Sequence, residues 1–581
     1  MGHFFHTKTS SEHGATTYFF SFEDMQEASG ASLPTQSSPV HLSLGRNFSD
    51  WHNGTYHLVE KLYADLSRDA PKIWGDRLPT QIFSEREAKI LVGNLSLYIA
   101  QRLARSIAQL DQTPTGSLLD SDKSELPTRL RIPESLDTGM SIQTIKSREF
   151  DQLVDLLAMN HVFSFARATS VHVTPRKLSE SRKLSFPEKI YVKVAGWTSK
   201  FSHRNKFSIS ASYLGRFTEQ LLLVSLSQWP SLTELREAQS PSSRNVFDKV
   251  IYIPGDSSLR ELAFFLLQCV VPVTLVENFQ DTLSAAHQSG FSKEPSVVLT
   301  ANSFEADDHF KAHLVNALPR ARYLVAQHGV GYGVSKTRSL CPEKEASDLF
   351  LSWGWGHSTP GVYPFGVIKS EIKKRQEKIS GVTLFLRPER FMYHLCADMG
   401  QPNDEYFSSV LDLCRELNEF NVPTTLRVHH TTSTRIRDWL SRETQELRHA
   451  SMDTSGKSMS SLISSGEGIV FTYDSTGMLE LATSGITFFS YMTEGLALID
   501  PLFAKNYEAL AEVGLLSENP SDAAKKIAEW QTASPDLRQE QFRGLEAFCA
   551  GLALKPKNRI SSLRALLRRL SLQSPCEPAS T

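Results

Sequence analysis

The chain carries no excess of charge of either sign. Lys and Arg number 62 and Asp and Glu 64, a formal net charge of −2 over 581 residues. A nucleic-acid partner calls for a basic face, and no basic stripe is prominent, so none is expected. Cysteine is scarce. The six (Cys269, Cys341, Cys396, Cys414, Cys549 and Cys576) lie far apart and form no C-x-x-C pair. That argues against a zinc knuckle or a disulfide framework and fits a reducing cytosol. Long apolar runs are missing too. The longest, from Leu262 to Val276, is interrupted by Gln268, Cys269, Pro272 and Thr274. It falls short of the roughly 20 residues of a spanning helix and reads as a helix end passing into a buried strand. MGHFFHTKTSS has no charged region followed by an apolar one, so it is no signal peptide. His6 stands where a myristoylation start needs Ser or Thr. Apart from the adjacent Asp307-Asp308 there is no acidic pair in an acid-rich loop, and no His/carboxylate spacing suits a fixed cation. A metal-independent protein without a resident cofactor is expected.

What is present is an ordinary globular composition, 40% hydrophobic and 22% charged, and a regular alternation of elements. Residues 1–50 are rich in Ser, Thr and His and read as loop. WHNGTYHLVEKLYADL and ILVGNLSLYIAQRLARSIAQL repeat apolar residues at three- and four-residue spacing, which predicts two helices between 51 and 110. Residues 112–140 are polar, with repeated Pro and Gly, and read as a long surface connection. Short β-branched runs then alternate with helical patterns. They are KVIYIP (249–254), VPVTLVE (271–277), SVVLTA (296–301) and RYLVAQHG (322–329). A second series holds VTLFLRP (382–388), TTLRVHH (424–430), GIVFTYDS (468–475) and ITFFSY (486–491). This is the pattern of parallel βα units. The fold class expected is α/β: two Rossmann-like lobes facing a cleft, joined near 370–380, with a helical N-terminal region. The domain boundaries follow as 1–145, 146–370, 371–540 and 541–581. The run KSEIKKRQEK (369–378) reads as a solvated helix face or an anion site. RISSLRALLRRLSL (559–572) sets Ile560, Leu563, Leu566, Leu567 and Leu570 on one face and carries four arginines. Packing back on the domain and lying on a membrane surface are both open to it.

Five strand ends carry polar residues suited to chemistry, and three of them are the more informative. After GIVF, a turn into a helix near Ser475 leaves backbone N–H groups aimed at the cleft, with the positive end of the helix dipole behind them. Ser475 and Thr476 add hydroxyls, and Glu480 stands where a carboxylate accepts ribose hydroxyls; plain N-capping by Asp474 or Ser475 is the alternative. After RYLV, Gln327, His328 and Gly329 open a glycine-rich turn in which His328 can meet a phosphate or an acceptor hydroxyl. After SVVLT come Asn302 and Ser303, both placed to cap, and then Asp307 and Asp308. On a helix these point about 100° apart, so at most one faces the cleft as base or nucleophile; complementing the helix dipole is the alternative. Less specific are Arg387, Glu389 and Arg390 at one further strand end, and Arg427, His429 and His430 at another, whose cationic groups suit a diphosphate, monophosphate or carboxylate.

Four stretches in order resemble the LIC12162 family of transferases, associated with O-antigen and capsule biosynthesis. They are the helix WHNGTYHLVEKLYADLS, PVTLVENF (272–279), the run 300–356 and VFTYDSTGMLELA (470–482). Matching positions are Asn302, Phe304, Asp307, Asp308, Phe310 and Lys311, then Gln327, His328, Gly329, Tyr332 and Gly333. Trp353, Gly354 and Trp355 follow, and then Thr472, Tyr473, Ser475, Thr476 and Glu480. Val330 stands where the family's turn has a second glycine, and residues 1–50 fall outside the resemblance. The likeness implies a GT-B-like fold and kinship with retaining transferases that use CMP-activated acidic sugars such as Kdo or nonulosonic acids. On this reading the chain takes a nucleotide-sugar donor and a glycan or lipid-linked glycan acceptor. Catalysis would fall to Asp307 or Asp308 and His328. Donor binding would fall to Asn302, Gln327, Gly329, Arg387, Arg427, His430, Ser475, Thr476 and Glu480. The expected location is the cytoplasm, with peripheral contact at the inner membrane. The rivals are a sugar-nucleotide epimerase, a CDP-polyol phosphotransferase, and a non-catalytic glycan- or nucleotide-binding subunit.

Overall fold

A computed structural model describes residues 5–7, 17–19, 48–77, 82–111, 129–133, 137–145, 150, 153–154, 157–158, 161, 169–176, 198, 201–231, 250–253, 257–335, 340–369, 379–388, 403–430, 432–453, 455–493, 496, 499–555 and 558–573. The cationic run 370–378, Glu389, Arg390 and most of 1–50 lie outside them.

Two minor sheets accompany the lobes. A short hairpin pairs β1 (Phe5–Thr7) with β2 (Thr17–Phe19). The other joins β3 (Arg129–Pro133), β4 (Thr169–Arg176) and β6 (Val250–Ile253). The first lobe is a five-stranded parallel sheet of β5 (Phe207–Ser210), β7 (Val297–Thr300), β8 (Arg322–Ala326), β9 (Leu349–Ser352) and β10 (Val362–Pro364), side by side in that order. Alternate side chains serve opposite faces. Val297, Leu299, Leu324 and Leu351 meet one apolar cluster, while Val298, Tyr323, Val325 and Phe350 join the larger core. Both faces are therefore covered, which is why these strands read as continuous apolar runs.

The second lobe is a six-stranded parallel sheet: β11 (Gly381–Phe385), β12 (Thr424–Arg427), β13 (Ala450–Met452), β14 (Glu467–Phe471), β15 (Phe489–Tyr491) and β16 (Leu516–Ser517). Its spatial order is β13-β12-β11-β14-β15-β16. The chain winds outward one way from β11 and the other way from β14. Between these two strands lies the topological switch point, where the loops diverge and leave a crevice at the strand C-terminal ends.

The helix Arg559–Ser571 returns to the first lobe, burying Leu563, Leu566, Leu567 and Leu570 in the cluster that holds Phe207, Val297 and Leu349. Of the two readings of its apolar face, packing is the one realised. The helices Phe48–Asp69 and Glu85–Asp111 form the N-terminal region and share the larger core with helix Leu259–Val270. Asp69 ties them to it, accepting from Arg260 Nε at 2.6 Å and Nη2 at 2.7 Å.

Three local expectations change. VPVTLVE is no strand but a 3₁₀ turn at Val273–Leu275, where Trp74 Nε1 donates to the Leu275 carbonyl at 2.9 Å. A short buried apolar run gives no period by which strand and helix can be told apart. KVIYIP forms β6, but antiparallel to β4 in the separate three-stranded sheet. Within the expected connection 112–140, Arg129–Pro133 is a strand and a helix starts at Thr138. Both are ordered by partners distant in sequence, so no local signal marks them.

Candidate functional site

The site is assembled from the C-terminal ends of β8 and β14, one from each lobe. Ser475 ends the turn after β14 with extended backbone, and its Oγ accepts from Gly477 N at 3.2 Å, capping helix Thr476–Thr483. Asp474 turns away to accept from Tyr507 Oη at 2.6 Å. Gly477 lets the helix lie close on Phe471, whose ring a Cβ would meet at 2.6 Å. Opposite stands the His328-Gly329-Val330 turn. Val330 N donates to Thr476 Oγ1 at 3.2 Å, and a Cβ on Gly329 would come 3.5 Å from the same oxygen. The two turns therefore meet across the cleft, with the N-terminus of a helix that follows the switch strand facing a histidine-bearing turn.

Val330 has φ −64° and ψ −36°, ordinary right-handed backbone, so no glycine is required there. Gly333 is different. Its φ is +77°, and a Cβ would lie 2.8 Å from the Trp355 ring.

Gln327 is buried and holds the wall together. Its side chain donates to the Gly329 carbonyl at 2.8 Å, and its Oε1 accepts from Trp353 N and Trp355 Nε1, each at 2.8 Å. Its carbonyl takes Trp353 Nε1 at 2.8 Å. The Gln-His-Gly and Trp-Gly-Trp motifs are thus one structural unit. A side chain so occupied shapes the His328 turn from behind.

The His328 ring stacks on Tyr213 (centroids 5.8 Å apart, planes 24°) and meets Tyr332 edge-on at 5.0 Å. Tyr332 Oη lies 3.3 Å from His328 Nδ1 and donates to the buried Glu343 carboxylate. No sequence motif marks Tyr213 or Glu343. Tyr213 follows β5 with φ +64°, and Ala211 before it has φ +45°. Left-handed backbone at non-glycine residues costs about 1–3 kcal/mol each and gathers at functional sites. Nothing in the string SISASYLG announces it.

The two aspartates part company. Asp307 is the N-cap of helix Asp308–Ala317, accepting from Phe310 N at 3.0 Å, and burial pushes its carboxyl above the usual carboxylate range. The Asp308 carboxylate points inward and accepts from Thr138 N at 3.0 Å and from the Thr138 and Thr274 hydroxyls. Beside it Lys311 Nζ, fully buried, donates to Thr138 Oγ1 at 3.1 Å and the Leu91 carbonyl at 3.2 Å, and burial lowers its pKa to about 8. Asp308 therefore joins the helical region to the lobe. Asn302 precedes the short helix Ser303–Ala306 without a side-chain cap bond; Thr300 Oγ1 accepts from Ser303 N at 2.8 Å in its place.

Around the switch point, Arg387 is buried with its guanidinium 4.0 Å above the Tyr406 ring. Arg427 is paired with Asp453 at 3.4 Å and lies over Phe385. His430 lies against His429, centroids 4.2 Å apart, and burial lowers the pKa of His429. Glu480 is ion-paired with Lys369, Nζ to Oε1 2.7 Å. Lys369 stands at the start of the connection between the lobes, where the sequence showed only a cationic run.

Comparison with known proteins settles the family. The model of the LIC12162 family transferases matches residues 77–536. The chain belongs to that family. No protein of curated function matches its sequence. Among solved structures, a Thermobaculum terrenum O-GlcNAc transferase mutant is 9% identical, covers 90% of this chain and 98% of its own, and superposes with a TM-score of 0.34. The wall teichoic acid polymerase TagF is 10% identical, with 66% and 94% covered and a TM-score of 0.34. A UDP-GlcNAc 2-epimerase from Methanocaldococcus jannaschii is 11% identical, with 52% and 80% covered and a TM-score of 0.31. No helix among the described residues of this LIC12162 transferase is long and apolar enough to cross a membrane.

Proposed function

We propose that this LIC12162 transferase is a glycosyltransferase that moves a sugar from a nucleotide-sugar donor, CMP-activated and acidic, to a cell-surface glycan precursor. One observation carries the reading: the N-terminus of helix Thr476–Thr483 faces the His328 turn across the cleft, with Val330 N 3.2 Å from Thr476 Oγ1. A helix N-terminus favours an anion through its orphan N–H groups and its dipole, and the facing turn stands where the reacting end of the donor would lie.

The donor phosphate binds at Ser475 and Thr476, whose hydroxyls and N–H groups meet the charge that develops on the leaving phosphate oxygen. Arg387 and Arg427 add positive potential at the neighbouring strand ends. Glu480 takes the ribose hydroxyls, exchanging Lys369 for them. His328, steadied by Tyr213 and by the Tyr332–Glu343 pair, orients the acceptor hydroxyl or holds the leaving phosphate. Of the carboxylates, Asp307 is the candidate nucleophile or base, because Asp308 is occupied by Thr138 and Thr274. Lobe closure excludes water, since hydrolysis of the donor is the competing reaction.

Thermal shift against CMP, CDP, UDP and GDP tests the donor: selective stabilisation by CMP is expected, and preference for UDP or GDP overturns the CMP assignment. Mass spectrometry of products tests the reaction, because only glycosyl transfer adds a sugar mass to an acceptor.

A further inference from the structure

One segment of the described residues gathers a share of exposed apolar side chains out of proportion to its length. Among the described residues eleven large hydrophobics are exposed, and five of them (Phe201, Phe217, Leu221, Val224 and Trp229) lie between 201 and 229. Phe217, Leu221 and Val224 follow at four- and three-residue intervals on helix Arg216–Ser225, so they form one stripe along its outer face. They are 76%, 46% and 55% exposed. The inner face of the same helix buries Leu222 and Leu223 in the lobe, so the outer stripe is surplus to folding. Beyond the helix, Trp229 stacks on Phe201 with centroids 4.9 Å apart, and it remains 54% exposed.

Among the described residues the charge around the stripe is predominantly basic, with the exposed Glu294 lying beside Lys293 near its Lys206 end. Arg204, Lys206 and Arg216 are exposed, and the only carboxylate between 201 and 231, Glu219, is buried and accepts from Ser212 N at 2.7 Å. The C-terminal helix lies alongside, Arg568 donating to the Ser225 carbonyl at 3.0 Å. It presents Arg568 and Arg569 outward, contains no acidic residue, and is followed by Leu572 at 88% exposure.

We propose that this face docks on an anionic lipid surface. A helix with an apolar outer stripe, a flanking tryptophan and a basic surround suits the interface between headgroups and acyl chains. There the apolar side chains insert and the cations meet phosphates. The placement also has a use. Helix Arg216–Ser225 begins two residues after Gly215's neighbour Leu214, just past Tyr213, which stacks on His328. Phe217 therefore lies at the cleft end of the stripe and Trp229 beyond the other end. Docking would set the cleft at the membrane surface, within reach of a lipid-linked acceptor. That purpose rests on the proposed transferase reading; the docking itself does not.

The test is flotation of the full chain with vesicles of phosphatidylglycerol and phosphatidylethanolamine, beside vesicles of phosphatidylcholine alone, without donor. Binding to the anionic vesicles, weakened by salt, is expected. Phe217→Ser with Leu221→Ser should lower partition about tenfold or more by removing inserted apolar area. Arg204→Gln with Arg569→Gln should lower it on the anionic vesicles only. All four side chains belong to partly or fully exposed surface, and an unchanged melting temperature checks that folding is intact. Absence of vesicle binding, or binding that neither double variant weakens, overturns the proposal. A wild type that is dimeric in solution, made monomeric by Phe217→Ser with Leu221→Ser and indifferent to vesicles, overturns it in favour of a second copy of the chain. Transfer to a soluble acceptor is scored separately, so failure to dock and failure of the transferase reading are distinguishable.

Discussion

Val330 N–H donates to Thr476 Oγ1 at 3.2 Å, and through this bond the first lobe touches the N-terminus of helix Thr476–Thr483 in the second lobe. The hydroxyl serves two neighbours in the proposed reaction, the opposite turn and the phosphate. Thr476→Val keeps the shape and removes the oxygen. The expected result is a KM for the donor raised about tenfold or more, since a hydrogen bond to a charged group contributes about 1.5–3 kcal/mol. Thr476→Ser should restore most of it. Steady-state kinetics of both variants are the check, and donor affinity unchanged in Thr476→Val would remove the hydroxyl from the phosphate site.

Gln327 illustrates how a motif residue can act at one remove. Gln327→Leu strips partners from Trp353 N, Trp355 Nε1 and the Gly329 carbonyl. Each buried polar group left unsatisfied costs about 1–3 kcal/mol, so a loss of several kcal/mol in urea unfolding is expected. A direct donor contact would instead weaken nucleotide binding at unchanged stability, and measuring both quantities on one sample separates the two.

For the aspartates, the expected outcomes diverge. Asn caps a helix about as well as Asp, so Asp307→Asn should unfold within about 0.5 kcal/mol of the wild type while losing transfer activity. Asp308→Asn weakens a charged acceptor of Thr138 and Thr274 and should cost roughly 1.5–3 kcal/mol of stability. Full activity in a stable Asp307→Asn protein would end its candidacy.

The pH dependence of stability has an identifiable source. His313 is buried with Nε2 3.1 Å from Ser208 Oγ, and burial pushes its pKa down from 6.5 to about 3. Burial lowers that of its neighbour His287 as well. Below pH 6.5 the unfolded chain takes up a proton that the folded His313 refuses until about pH 3. Stability is therefore fully present above that window and is lost as pH falls through it. The loss from one such group is about 1.4 kcal/mol at one pH unit below its unfolded value. Urea unfolding between pH 7 and 5.5 should show the decline, and His313→Gln should flatten it.

The sequence by itself determined the two parallel-sheet lobes, the helical N-terminal region, and the strand–turn–helix units that end in His328 and Ser475. Each of these is a local periodicity followed by local turn chemistry, and both are written in consecutive residues. It also marked the Gln-His-Gly, Trp-Gly-Trp and Thr-Tyr-Asp-Ser-Thr stretches as special. Only the tertiary structure decided which special residues touch one another. Gln327 turned inward to join two motifs, Asp308 turned to Thr138, Glu480 met Lys369, and Tyr213 arrived beside His328 from a loop with no motif at all. Those pairings join residues from 26 to 170 positions apart. A side chain's partner across such a distance depends on how sheets and helices stack, and neither the spacing nor the type of residue records that.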